Sequence, residues 1–406
     1  MFTSDFFKGN RAHLRSLFTG TAPIVITANG QLQRNGDVTL PFRQDSSFWY
    51  LTGIDEPDVV LVIDKTKEYL IVPDRGEWQI ASAGAVDHSS LSKVSGIDLV
   101  MDEKSGWKQL NQRLKKVKNV ATLAAHAPYD ELEGFYANPA RAHLINQLKA
   151  ANDTVELLDL RTHLASMRMI KQPIEIEAIQ KAIDITIEAF ETVQKDLGSY
   201  KTEWEIENAM TSVFMKHRVV HAYPPIVASG KHAVTLHSGA SNETIDPHDL
   251  ILFDVGAEYQ NYAADITRTY ALKPLTKRQQ AVFNAVAEVQ AFALDQLKPG
   301  VTLRECELQV EEFMGEKLRE LGLIKAISHE AVRHYYPHGT SHFLGLDTHD
   351  VGDYKRPLAP GVVLTVEPGI YIPEEGIGIR IEDNVLITEN GIKVLSERLP
   401  RGASLT

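Results

Sequence analysis

A chain of 406 residues, 43% hydrophobic, has enough apolar surface to fill two domain cores. Its net charge of -12 and pI near 5.7 argue against nucleic acid or anionic lipid as a partner, since both call for a surplus of Lys and Arg. No run approaches the roughly 20 apolar residues that cross a bilayer, the single Cys306 cannot close an internal disulfide, and the start MFTSDFFKGNRAHL is charged where a signal peptide is apolar, so the expected location is cytoplasmic.

In chain order, the first elements alternate strands and helices. APIVITA (22–28), DVVLVID (58–64) and EYLIVP (68–73) have the apolar, β-branched character of buried strands, and PARAHLINQLKAA (139–151) reads as a helix. This pattern predicts an α/β domain over residues 1–165. From 166 to 406 the character changes. Pro173 suits a first helical turn, and Ile176, Ile179, Ile183, Ile187 and Phe190 recur at helical spacing. Three further helix starts carry a hydroxyl followed three residues later by Glu or Gln: Thr202/Glu205, Thr276/Gln279 and Thr302/Glu305.

The second domain also carries the chemistry. LILFDVGA (250–257) and YAADITRTY (262–270) read as strands joined through EYQN, and Asp254 and Asp265 then lie symmetrically about that turn. Opposed side chains in such a hairpin have Cβ atoms about 4.5 to 5.5 Å apart. Two carboxylates that close in an apolar strand pair need a proton or a cation between them. The same arithmetic recurs in LTVE (364–367) and IGIRIEDNVLI (377–387), where Glu367 and Glu382 flank the PEEG loop symmetrically. Arg380, two residues before Glu382, shares its face. Four inward carboxylates suit two divalent cations about 3.5 to 4 Å apart.

A nitrogen ligand lies in HGTSHFLGLDTHD (338–350), where His342 is the candidate and His349, seven residues on, is assigned to substrate or proton transfer. Gly339 and Gly345 predict a loop or kinked strand in which the backbone comes close to something. Oxygen-rich ligation favours Mn2+, Co2+ or Zn2+ over a thiolate-seeking ion, and Mn2+ suits four carboxylates best.

FDVGAEYQNYAADITRTY, HGTSHFLGLDTHDVG, LTVEPGIYIP and IRIEDN resemble the signature segments of the pita-bread metallopeptidases, aminopeptidase P among them. PFRQDSSFWYLTGIDEPDVVLVI is similar to the amino-terminal domain that accompanies them. The resemblance implies an α+β chain, a pita-bread catalytic domain preceded by a smaller α/β domain. It implies that Asp254, Asp265 and Glu382 bind one metal and Asp265, His342, Glu367 and Glu382 the other, with a water between the ions as nucleophile. Glu367 would be general base. His237 and His349 match positions lining the proline-side pocket and stabilising the tetrahedral intermediate. Arg380 would orient the metal-binding carboxylates, and Tyr223 is a weaker match. The implied substrates are peptides with proline in second place, and relatives commonly form homodimers or homotetramers.

Other readings stand beside these. A prolidase-type dipeptidase shares the fold and metals but captures the free carboxylate of a dipeptide. A creatinase-like hydrolase does not need all five ligands, a methionine aminopeptidase would lack the preceding domain, and a non-catalytic binding module would be expected to have lost ligands. His338 reads as a structural histidine lining the site or a substrate contact, and His221, His232 and His248 as structural. Asp347 and Asp350 read as loop-capping groups, Cys306 as a small buried side chain without catalytic part.

Overall fold

The computed structural model describes residues 2–18, 20–124 and 134–403, and the chain divides into two units, Met1–Met167 and Arg168–Thr406. In the first, six strands form one sheet in the order Val100–Asp102, Glu68–Val72, Val60–Ile63, Ile24–Thr27, Asn119–Thr122, Glu156–Asp159. Val60–Ile63 runs against both neighbours, and the other adjacent pairs are parallel. Ile24–Thr27 and Val60–Ile63 are buried throughout, which is why they read as continuous apolar runs rather than alternating ones. Helices Glu103–Leu114 and Ala140–Ala151 contribute Leu110, Leu114, Leu144 and Leu148 to a core shared with Val25, Val62, Ile71 and Val120.

The second unit opens with helix Pro173–Lys195, whose proline stands in the first turn and whose Ile179, Ile183, Ile187 and Phe190 are buried. Thr276 and Thr302 begin Lys277–Gln296 and Leu303–Glu320 with the reciprocal cap expected of them. At Thr202 only half of it forms. The hydroxyl accepts from the Glu205 amide, but the Glu205 carboxylate reaches past it to the amide of Lys201 at 2.6 Å. Among the described residues no helix is long and apolar enough to cross a membrane.

Two antiparallel ribbons organise the rest. In the first, Leu250–Val255 pairs with Ile266–Ala271 and, past a break, Ala257–Tyr259 pairs with Tyr262–Ala263. It turns on Gln260 and Asn261, both at positive φ (50° and 67°), the two-residue turn whose twist matches that of its strands. In the second, Val363–Val366 pairs with Asp383–Thr388 and Gly369–Ile372 with Ile377–Arg380, closing over Pro373–Glu375. Each ribbon passes from one sheet into another at its break.

The predicted symmetry holds for the second ribbon and needs correction in the first. There the turn is Gln260-Asn261, not EYQN, so Asp254 faces Thr267 and Asp265 lies two residues further along the strand, towards the turn. The difference of two residues keeps both aspartates on one face, because side chains alternate with a period of two.

Candidate metal centre

Asp265, Glu367 and Glu382 all stand in the breaks of the ribbons, outside the paired strands, and Asp254 is the last residue but one before a break. A side chain there projects from a backbone that is changing sheets, so four acids converge. Glycine makes the first break possible. A Cβ on Gly256 would come within 1.8 Å of the Ala264 carbonyl oxygen and 2.9 Å of the Tyr223 ring. The ribbons are joined across the site: the Glu382 amide donates to the Thr267 carbonyl at 3.0 Å, and the Thr267 hydroxyl donates to Glu382 Oε2 at 2.6 Å.

His342 arrives on a third piece of chain. Segment 340–344 runs antiparallel beside 363–367, with the Thr365 amide on the His342 carbonyl (3.0 Å) and the Glu367 amide on the Thr340 carbonyl (2.9 Å). The imidazole Nδ1 lies 3.0 Å from the Phe343 carbonyl, which fixes a proton there and turns Nε2, the position for a metal or, without one, a second proton, towards Glu367 Oε1 (3.2 Å) and Asp265 Oδ2 (3.4 Å). This is the tautomer a metal ligand needs. Ligand atoms of Asp265, His342 and Glu382 lie within 4.8 Å of one another.

Electrostatics make the case for a cation. Burial raises the pKa of Asp265, and burial with repulsion from Asp265, Glu367 and Asp254 raises that of Glu382 well above its ordinary value. Glu367 is pushed up to about 7, by burial above all. Burial alone would lower His342, but the facing Asp265 and Glu367 outweigh it and lift the imidazole to about 9. The Tyr223 hydroxyl lies 2.6 Å from both Asp254 Oδ1 and Asp265 Oδ1, yet has one proton to donate. The second short contact requires a carboxyl proton or a cation alongside. Crowded acids, an imidazole lone pair and no thiolate are a donor set that fits hard or borderline divalent ions.

Arg380 braces this arrangement from behind. Its guanidinium pairs with Asp254 Oδ2, donates to the Thr267 hydroxyl (3.1 Å) and donates to the Tyr371 hydroxyl (2.7 Å). His349 packs edge-on to His342, centroids 4.3 Å apart, and although the residue is open to solvent on one side, desolvation by the groups around its ring and the neighbouring His342 and His237 depress its pKa to about 4. His237 itself lies on an exposed turn after Gly230–Val234. His338 Nδ1 is on the Gly339 carbonyl (2.8 Å), so Nε2 accepts from the Tyr371 hydroxyl at 2.8 Å. His338 thus belongs to the polar frame of the site.

Several sequence readings change. Asp350 is not a loop cap: its carboxylate is buried between Arg168 Nη2 (2.5 Å) and Lys171 Nζ (3.1 Å). Asp347 shares Arg168 at 2.6 Å, from a more exposed position. At Gly345 a Cβ would meet Asp350 at 2.2 Å, whereas at Gly339 nothing lies close, so only one of those two glycines marks a tight approach. Thr267, Thr365 and Tyr371 were missed. Thr365 donates to Glu367 Oε1 at 3.1 Å. Both threonines stand two residues from an acid on the same strand, so D-x-T and T-x-E were the signal available. Cys306 is buried, its thiol pushed up to about 11 chiefly by burial, as fits a structural side chain.

Comparison with known proteins gives the family. The pattern of metallopeptidase family M24 matches residues 177–389, and that of the aminopeptidase P N-terminal domain matches residues 7–122. The Xaa-Pro aminopeptidase of Haemophilus influenzae is 33% identical over 420 residues, covering 97% of this chain and 94% of that one. The Xaa-Pro aminopeptidase of Escherichia coli is 31% identical over 417 residues, covering 95% and 93%. Among solved structures, aminopeptidase P from Escherichia coli superposes with a TM-score of 0.87 at 29% identity, covering 99% of this chain and 97% of that one. Proline aminopeptidase P II from Yersinia pestis gives 0.86 at 30%, covering 99% and 98%.

Proposed function

This chain belongs to metallopeptidase family M24, with a pita-bread unit and an aminopeptidase P amino-terminal domain, and from that premise we propose that it releases the first residue of peptides whose second residue is proline. The observation that carries the reading is the meeting of Asp265, His342 and Glu382 within 4.8 Å, with Asp254 and Glu367 directly beside them. Asp254, Asp265 and Glu382 would hold one divalent ion, and Asp265, His342, Glu367 and Glu382 a second, with Mn2+ the ion best matched to so many oxygens. Bound ions supply Lewis-acid chemistry, polarising the scissile carbonyl and acidifying the attacking water.

The protein's own groups do the rest. Glu367, set beside His342 at the edge of the centre, takes up the proton of the attacking water and delivers it to the departing proline nitrogen. Arg380 and Thr267 fix the oxygens of Asp254 and Glu382. His237 and His349 form the substrate-facing rim and donate to the oxygen that gains charge. Proline lacks an amide hydrogen and has a fixed φ, so a peptidase that reads an extended backbone through amide hydrogens has nothing to grip.

Arg380 also favours this reading over a dipeptidase. Each of its guanidinium nitrogens donates, to Thr267, Tyr371 and Asp254, and the side chain is buried behind the acids, where it braces them rather than facing a dipeptide's carboxylate. The test is hydrolysis of Xaa-Pro-Yaa and Xaa-Pro peptides by metal-stripped protein with Mn2+, Co2+ or Zn2+ restored, beside Glu367→Ala. Metal-restored cleavage of the tripeptide, absent in the variant, is expected. Activity indifferent to chelation refutes the metal reading, and preference for the dipeptide refutes the aminopeptidase one.

A further inference from the structure

Glu203 is a fully buried carboxylate at the first position of helix Glu203–Lys216, remote in sequence from every acid of the metal centre. Four donors point a hydrogen at it. Oε1 accepts from the Ser229 amide (2.6 Å), the Ser229 hydroxyl (2.7 Å) and His232 Nδ1 (2.9 Å), and Oε2 accepts from the Ser241 amide (2.8 Å). Those donors hold the carboxyl below its usual range although burial pushes the other way.

The partners are not scattered. Ser229 and His232 stand at the start of one segment and Ser241 at its end, and His237 lies between them. The Trp204 amide adds a bond to the Ser241 carbonyl at 3.2 Å, on the same side. Beneath the segment, Ala233 packs with Ile226, Ala228, Leu252 and Tyr371, and the second ribbon presses against it: a Cβ on Gly378 would lie 2.0 Å from the Ala233 carbonyl oxygen. A chain fixed at both ends and supported from below presents what lies at its crest in one place.

We infer that Glu203 is a positioning residue that clasps both ends of segment 229–241 and thereby sets His237 against the substrate. This rests on the role proposed above for His237. An amide cannot replace the carboxylate, because its NH2 would confront donors where each oxygen now accepts. Misplacing a substrate-contacting group by about 1 Å can cost on the order of 100-fold in rate.

A double-mutant cycle on the full-length, Mn2+-loaded protein tests it, with kcat and KM for an Xaa-Pro-Yaa tripeptide and Mn2+ affinity by calorimetry for Glu203→Gln, His237→Ala and the pair. Glu203→Gln is expected to lower kcat/KM by about tenfold or more, with Mn2+ affinity unchanged and no further loss when His237 is already alanine. Ser229→Ala removes a single donor and serves if Glu203→Gln does not fold; its smaller loss should likewise vanish in the His237→Ala background. An equal loss in both backgrounds, or Mn2+ binding that weakens in step, overturns the clasp. So does a His237→Ala protein as active as its parent, which leaves the peptidase reading intact. A parent that cleaves no Xaa-Pro bond with metal restored sinks that reading and the inference together.

Discussion

The two ribbons bring the same kind of acid pair to one place by different registers. In the second, Glu367 and Glu382 lie opposite each other, as the continuous pairing of Val366 with Asp383 and Gly369 with Arg380 requires. In the first, Asp254 faces Thr267 and Asp265 is its diagonal neighbour. The second pair is reinforced by two threonines, one on each acid, while Asp254 and Asp265 share a single tyrosine hydroxyl and Asp254 alone also pairs with Arg380. The lesson is that facial parity matters more to a metal site than strict opposition. A register slip of two residues preserves it and a slip of one destroys it.

The sharpest way to break the comparison is at Glu367. Glu367→Gln keeps the shape but removes the base, and kcat for an Xaa-Pro-Yaa peptide should fall by about 10²- to 10⁴-fold while the first ribbon's aspartates stay in place. A loss below tenfold would move the proton transfer elsewhere. Next comes the brace behind the first pair. Arg380→Lys offers one compact ammonium where a fork now spans Asp254, Thr267 and Tyr371, so Mn2+ affinity should weaken about 10- to 100-fold by calorimetry.

Acidity probes both pairs at once. With folded pKa values raised, the carboxyls of Glu367, Asp265 and Glu382 are easier to accommodate protonated than ionised. The stability they contribute is therefore present at low pH and is lost as pH rises through their folded pKa, near 7 for Glu367. Metal-stripped protein should accordingly show its site-dependent Tm falling between about pH 4.5 and pH 7, the ordinary and folded values for Glu367, by about 2–4 °C for each kcal/mol involved, and Mn2+ should reverse the trend. A metal-free Tm that rises over that window in the parent, and equally in Glu367→Gln, would contradict it. The smallest effect is expected from the threonines. Thr267→Val, which strips a hydroxyl shared by Glu382 and Arg380, should cost about 1–3 kcal/mol of unfolding free energy, and Thr365→Val, whose 3.1 Å bond is longer and less buried, about 1 kcal/mol or less.

What the sequence made legible followed from periodicity. The strands of the first unit show as apolar runs because both faces are covered, and the acids of the second unit show because alternation puts residues two apart on one face. The residues that escaped have no such trace. Asp350 is held by Arg168 and Lys171 from some 180 positions away, and Glu203 by Ser229 and Ser241 from 26 and 38 away. Hydrogen bonds between distant polar groups leave no period in the chain. The breaks in the ribbons were hidden for a related reason: the register is the same on either side of each, and only the change of sheet marks them, a tertiary event that in the first ribbon depends on Gly256.

Cys306 has a practical use that follows from its burial. With its one native thiol enclosed and holding its proton, the protein is a ready-made background for site-directed labelling. A cysteine introduced on the exposed turn around His237 would react with a maleimide dye ahead of Cys306, so the movement of that turn during turnover could be followed by fluorescence without first removing any native residue.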